Sequence, residues 1–201
     1  MINNKTILLT GGTGSFGKEF TKTLLNKFKK NNFKIFIFSR DELKQFEMNN
    51  EINDRRVNYI IGDIRDYERL SNLKIKPNFI VHAAAMKQIV ASELNPSECI
   101  NTNILGTQNL LRFSSKFKKC KFLSLSTDKA VNPVNLYGAT KLSLEKITIA
   151  NNNLSIPSNN SYSVLRYGNV IGSRGSVIPF FKSLKKLNKP IPVTHKDMTR
   201  F

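Results

Sequence analysis

The feature that most limits the fold stands at the front of the chain. A strand-like run, Thr6 to Thr10, passes straight into Gly11-Gly12-Thr13-Gly14-Ser15-Phe16-Gly17 and on into a helical pattern. Glycines at 11, 14 and 17 tolerate positive φ and let backbone approach a ligand closely. Amides at the start of the following helix carry partial positive charge, so the turn suits a pyrophosphate. A bare glycine pattern is weak evidence; with a strand before it and a helix after it, at the first βα turn, it predicts a dinucleotide site. A glycine-rich turn with no ligand is the bland alternative.

Strand-like and helical stretches then alternate. A helix to about Lys30 is followed by a strand at Lys34 to Phe38, a polar helix, and strands at Val57 to Ile61 and Asn78 to Ala83. A helix from about Pro96 to Phe117, a strand at Lys121 to Leu125, a helix from about Leu136 to Ala150 and a strand at Tyr162 to Arg166 come next. This is the rhythm of right-handed βαβ crossovers and predicts an α/β fold, a doubly wound Rossmann parallel sheet. Asn151 to Ser161 reads as a surface connection, because the strand after it resumes the sheet. Phe28, Phe33, Phe36 and Phe38 read as core aromatics. From Gly168 the pattern changes to a glycine loop, an amphipathic helix at Val177 to Leu187 and an extended piece at Pro190 to Pro192. The expectation is a dinucleotide-binding domain with its reaction centre at 1–168, and at 169–201 the start of a smaller substrate-binding region, truncated at Phe201.

A chain of 201 residues with 40% apolar content can bury one real core and begin a second lobe. Its net charge of +18 would suit an anionic partner, but the lysines are strewn among asparagines and read as a general Lys/Asn bias rather than one basic stripe. Neither a nucleic-acid nor a membrane partner is therefore expected. Cys99 and Cys120 lack metal-like spacing to His82 and His195, so they read as reduced, semi-buried thiols and no metal site is expected. No apolar run approaches bilayer-spanning length, which predicts a soluble cytoplasmic protein.

The second strand ends in Ser39-Arg40-Asp41-Glu42-Leu43-Lys44, where a dinucleotide site reads the adenosine ribose. Arg40 and Lys44, one helical turn apart, offer two cations to a 2′-phosphate, which predicts NADP. In the alternative they are solvated and Asp41 holds a 2′-hydroxyl. Ser15, Phe16 and Lys18 extend the glycine cradle, Asp63 and Ile64 suit the adenine edge, and Ala83 and Ala84 leave room for a flat cofactor or simply for tight packing.

Tyr137-Gly138-Ala139-Thr140-Lys141 sets a phenol and an ammonium four residues apart on one helix face. A lysine so placed lowers the phenol pKa and can hold a nicotinamide ribose, so the phenolate can take a proton from a sugar hydroxyl as hydride leaves. The preceding strand ends in Ser126-Thr127-Asp128-Lys129, which gathers these groups at the carboxyl edge of the sheet, where such folds bind ligands. For Asp128 and Lys129 a surface ion pair is the plain alternative.

Taken together, several motifs resemble the extended short-chain dehydrogenases. They are the glycine loop, His82 to Lys87, Asn95-Pro96 with Thr102-Asn103, Ser126 to Ala130, Asn132-Pro133 with Tyr137 to Lys141, and Arg166 to Asn169 with Gly172 to Ser176. More narrowly, the set is similar to the inverting UDP-N-acetylglucosamine 4,6-dehydratases that begin pseudaminic acid synthesis. Ala91 departs from that pattern, where relatives carry proline. Retaining dehydratases resemble this site but carry an Asp-Glu pair; Lys129 replaces that glutamate as the C5 base and would need a lowered pKa to attack as a neutral amine. The resemblance implies that Tyr137 and Lys141 act at the C4 hydroxyl, Lys129 at C5 and Asp128 at the C6 hydroxyl, with Ser126 and Thr127 beside them. It further implies that Lys87, Asn169, Arg174 and Thr194 touch the UDP-sugar, and that a homo-oligomer forms through the helices near Pro96 to Phe117 and Leu136 to Ala150. A nucleotide-sugar 4-epimerase and a non-catalytic NADP-binding sensor are the competing readings.

Overall fold

The computed structural model describes residues 2–154, 158–172, 176–193 and 195–197. Six strands form one parallel sheet: β1 (Lys5–Thr10), β2 (Phe33–Ser39), β3 (Val57–Ile61), β4 (Phe79–His82), β5 (Lys121–Thr127) and β6 (Ser161–Tyr167). Their spatial order, β3-β2-β1-β4-β5-β6, reverses direction between β1 and β4 and opens a crevice at the carboxyl ends there. The helices are α1 (Ser15–Lys27), α2 (Glu42–Ile52), α3 (Tyr67–Ser71), α4 (Ile89–Leu94), α5 (Pro96–Ile100), α6 (Gly106–Ser114), α7 (Leu136–Leu154) and α8 (Val177–Lys186). Residues 190–192 form no strand.

Both faces of the sheet are covered, which is why its central strands read as unbroken apolar runs. Ile7 and Leu9 of β1 join Leu25 of α1 and Met48 of α2 in one core, whereas Leu8 between them faces Leu70 of α3 and Leu110 and Phe113 of α6 in the other. Phe33 and Phe38 are fully buried, while Phe28 and Phe36 pack at the margins. Cys99 and Cys120 are free thiols buried completely rather than partly; burial pushes the Cys120 thiol up to about 12. Edge strand β6 keeps only Tyr162 buried.

Two elements differ in kind from the sequence reading. The single helix expected from about Pro96 to Phe117 is α5, a π-helical turn at Asn101–Leu105, and α6. The wide turn lets the buried Asn103 side chain accept from the Met86 amide (2.8 Å) and donate to the Met86 carbonyl (2.9 Å) and to Thr140 Oγ1 (3.0 Å), so one residue ties the loop after β4 to α7. Strand β5 continues two residues past Leu125, because Ser126 and Thr127 pair with Arg166 and Tyr167 although their side chains are polar.

Of the five helix-to-strand connections that open onto the amino-terminal edge of the sheet, four carry exposed cations.

Candidate active site

The turn from β1 to α1 is built on close approach. Gly11 has φ +66°, and a Cβ there would stand 2.6 Å from the Ala84 amide nitrogen. Gly17 turns away from the crevice: its Cβ would strike the Gly12 carbonyl at 2.3 Å, so it seats α1 on the strand turn rather than touching a ligand. Gly14 is the helix N-cap and brings no capping side chain. A cleft of about 910 Å³ opens above, lined by Gly11, Gly14, Ser15, Phe16 and Lys18 on the β1 side and by Ala83, Ala84 and Lys87 on the β4 side. The amides of a helix start, beside a groove that one extra Cβ would block, fit the diphosphate of a dinucleotide.

Ser39, Arg40, Asp41 and Lys44 line the far end of the same cleft with Asp63 and Ile64. The cations already have carboxylate company: the Lys44 ammonium pairs with Asp41, and Arg40, 63% exposed, lies 3.7 Å from Asp63. Asp41 also caps α2 through the Lys44 amide at 3.0 Å. Burial pushes the Asp63 carboxyl up, but hydrogen bonds and charge from Arg65, with Arg40 beyond, bring it below its ordinary range. Ile64 is a core residue that reaches the cleft with one edge.

At the opposite end stand Thr127, Lys129, Tyr137, Tyr167 and Asn169. Lys129 Nζ donates to Asp128 Oδ1 at 3.1 Å and to Asn169 Oδ1 at 3.3 Å, and Thr127 Oγ1 donates to the same Asp128 oxygen at 2.9 Å. Asp128 is 41% exposed beside the cleft; burial pushes its carboxyl up, and the hydrogen bonds from Lys129 and Thr127 outweigh this and hold it low. Tyr137 is pushed up to about 12 by burial, against a hydrogen bond from Thr127.

Lys141 does not lie where the sequence reading placed it. It is fully buried, its amine donates to the Leu125 carbonyl, and it is not among the groups that shift the Tyr137 phenol. Burial lowers the Lys141 amine to about 8, opposed by Glu145 and Cys99. Ser126 is a second correction. Side chains alternate along β5, so Ser124 and Ser126 both face α7: the first meets Thr148 at 3.0 Å and the second donates to Glu145 at 2.5 Å, away from the cleft. Arg174 and Thr194 lie outside the described residues.

Glu145 was missed. It is one turn beyond Lys141 on α7, and it also accepts from Arg166 of β6 at 2.7 and 2.5 Å, which locks α7 to two strands. Its signal was spacing alone, a third residue on the Tyr137-Lys141 face. Tyr167 was missed as a lining residue, though it stands at a strand's carboxyl end. His82, buried at the crevice floor, bridges Thr10 (2.8 Å) and Thr107 (2.9 Å), and burial drives its imidazole down to about 3, so it stays neutral. Among the described residues no cluster of three or more His, Cys, Asp or Glu could hold a metal, and no helix is long and apolar enough to cross a membrane.

The sheet order and the glycine cradle, with Thr127 and Tyr137 lining the same cleft, are those of an extended short-chain dehydrogenase/reductase. A family profile described as polysaccharide biosynthesis protein matches residues 7–201, and the chain belongs to that family. A Campylobacter jejuni protein named UDP-N-acetylglucosamine 4,6-dehydratase (inverting) is 55% identical over 204 residues, covering 100% of this chain and 60% of the relative. A Rickettsia bellii protein named UDP-glucose 4-epimerase is 44% identical, covering 100% of this chain and 59% of its own length. Among solved structures, Pen from Bacillus thuringiensis superposes with a TM-score of 0.91 at 38% identity, over 98% of this chain and 62% of that one. The chain thus spans about 60% of the length of the curated relatives it matches.

Proposed function

We propose that this chain is the cofactor-binding and catalytic part of an NADP-dependent inverting dehydratase. Its reaction would turn UDP-N-acetylglucosamine into a UDP-2-acetamido-2,6-dideoxy-4-hexulose for surface polysaccharide or flagellin glycan synthesis. The observation that carries the reading is the Lys129–Asp128 pair, 3.1 Å apart at the mouth of the cleft that Tyr137 also lines. A nicotinamide held there would supply a reversible hydride acceptor for the C4 and C6 positions. Gly11, Gly14 and the first turn of α1 would hold its diphosphate, and Arg40 and Lys44 its 2′-phosphate, exchanging their present carboxylate partners for the ligand.

Tyr137 accepts the C4 hydroxyl proton, with Thr127 bonded to the phenol. For Lys141 to assist, its ammonium must leave the Leu125 carbonyl and turn towards the phenol. With C4 a ketone, the C5 hydrogen becomes acidic. One proton passing from Lys129 to Asp128 along their hydrogen bond yields both groups the elimination needs, a neutral amine to take the C5 proton and a carboxylic acid to protonate the departing C6 hydroxyl. Hydrogen bonds from Lys129 and Thr127 oppose that transfer in the resting site, and exclusion of water by a bound sugar favours the neutral pair. Reprotonation of C5 from the opposite face inverts the centre. Asn169, bonded to Lys129, would orient the amine and touch the sugar with Lys87.

The Rickettsia relatives favour a second reading, 4-epimerisation, which uses Tyr137 but no elimination base. Substrate deuterated at C5 separates the two: dehydration washes the label into water and gives a C5-inverted 6-deoxy product by NMR, whereas epimerisation retains it. Lys129→Ala should abolish that exchange and leave NADP affinity within about threefold, since the cradle lies at the other end of the cleft; loss of both would make Lys129 structural. Buried free thiols at Cys99 and Cys120 suit a reducing cytoplasm. Exposed Ile100, Leu105 and Ile149 on α5, the π turn and α7 suit a homo-oligomer through those helices.

A further inference from the structure

In a parallel sheet every strand begins at the same edge, so the connections entering β2, β3, β4 and β5 all meet at the pole opposite the cleft. They are basic throughout. The α1–β2 turn carries Lys29 and Lys30, with Lys27 and Lys34 at its ends. Arg55 precedes β3, and Lys74 and Lys76 precede β4. Lys116, Lys118 and Lys119 precede β5, whose first residue is Lys121. All are exposed, and among the described residues none forms an ion pair. The single carboxylate in these connections, Asp54, is already bound by Arg56 at 2.7 Å.

The same local design recurs in three of the four turns: Lys27-Phe28-Lys29-Lys30, Lys74-Ile75-Lys76 and Lys116-Phe117-Lys118-Lys119. In each the apolar residue packs against a core and the cations around it are exposed, with Lys27 over the Phe28 ring at 6.0 Å and Lys116 over the Tyr67 ring at 5.4 Å. Across β3-β2-β1-β4-β5 the charge spreads over about 20 Å, two to three Debye lengths at physiological salt. Like charges in excess of their counter-charges repel one another, and an anionic partner relieves that cost.

We propose that this amino-terminal pole docks the chain on an anionic lipid bilayer, with the cleft facing away from the membrane. The reading goes beyond the enzymatic one and does not depend on it. Two features favour a lipid surface over nucleic acid. Ten of the eleven exposed cations are lysines, compact charges suited to diffuse attraction to headgroups, whereas phosphate forks and base edges are matched by arginine. The pole also consists of short turns, with Phe28 and Phe117 folded inward, and so offers neither a protruding helix for a groove nor exposed rings for stacking bases.

The test is co-sedimentation of the 201-residue chain with vesicles of phosphatidylcholine mixed with phosphatidylglycerol, and with vesicles of phosphatidylcholine alone, at physiological ionic strength. Binding is expected to the anionic vesicles only and should weaken as salt rises. Each cation near a charged leaflet strengthens binding about fivefold, so reversing Lys29, Lys30, Lys118 and Lys119 to glutamate should weaken it by at least about 100-fold. The equally charged control, Lys182→Glu, Lys185→Glu, Lys186→Glu and Lys189→Glu on and after α8, should lose less than about tenfold. A Gln set at the four pole positions should fall in between, which guards against a folding defect in the Glu set. Absence of binding, equal loss in the two Glu variants, or displacement of the chain from vesicles by duplex DNA would each overturn the proposal, the last in favour of a nucleic-acid surface.

Discussion

Replacing Lys141 by methionine should flatten part of the pH dependence of stability, because it removes an amine that the fold pulls out of water. Burial lowers this amine from 10.5 to about 8. Below about pH 8 both folded and unfolded chains hold its proton, and the penalty for burying the charge is constant. Between about 8 and 10.5 the unfolded chain binds more protons than the folded one, so stability rises with pH there; above 10.5 neither state is charged. That lowering, from 10.5 to about 8, corresponds to roughly 3 kcal/mol gained across the window. The absolute curve will not show it cleanly, since Cys120, pushed up to about 12, keeps its proton when the unfolded thiol loses it and so pulls stability down above pH 9. Comparing the native chain with Lys141→Met cancels that contribution. Urea unfolding followed by far-UV circular dichroism at intervals from pH 7 to 10.5 should show native stability gaining roughly 3 kcal/mol on the variant. At pH 7 the variant also forfeits the hydrogen bond to the Leu125 carbonyl, about 1 kcal/mol, which offsets the gap without changing its slope. Parallel curves across the window would show that the amine reaches water in solution and that the buried placement is wrong.

Two further expectations follow from packing. Gly11→Ala puts a Cβ 2.6 Å from the Ala84 backbone at φ +66°, so it should cost at least about 2 kcal/mol of stability and weaken binding of a reduced nicotinamide dinucleotide more than about tenfold in a fluorescence titration; unchanged affinity would mean the turn is not the cradle. Glu145→Ala strips the buried carboxylate from Ser126 and Arg166 and should lower stability by about 2 kcal/mol, short of a fully buried pair because Arg166 stays half exposed. Glu145→Gln should recover part of it, and an unmoved urea midpoint in both would count against the lock.

The sheet was legible because burial on both faces writes its strands as apolar runs, and β3 falls where its run predicts, at Val57–Ile61. Polarity misled at the end of β5, where backbone pairing with β6 continues through Ser126 and Thr127 after the apolar signal stops. That two-residue extension decides the side on which Ser126 falls, and it removed that residue from the cofactor set. Short helices α3 and α4 escaped because five or six residues carry little periodicity. The direction of Lys141 could not be read from spacing, which puts phenol and ammonium on one helix face but leaves a long side chain free to reach backward to a strand carbonyl. Convergence of the lysines is a property of topology, since residues far apart in the chain become neighbours only once the strands are known to run in parallel.

The wide turn at Asn101–Leu105 makes the register of the chain upstream of it depend on one surplus residue. Deleting a single position there would restore ordinary helical winding and swing everything before it by about 100° relative to α6. Cys99 would then leave its buried seat, Asn103 could no longer grip the Met86 backbone, and the wall of the crevice opposite the glycine turn would come loose. An irregularity that also lends Thr102 to the cleft wall would therefore help set the width of the gap into which a ligand must fit.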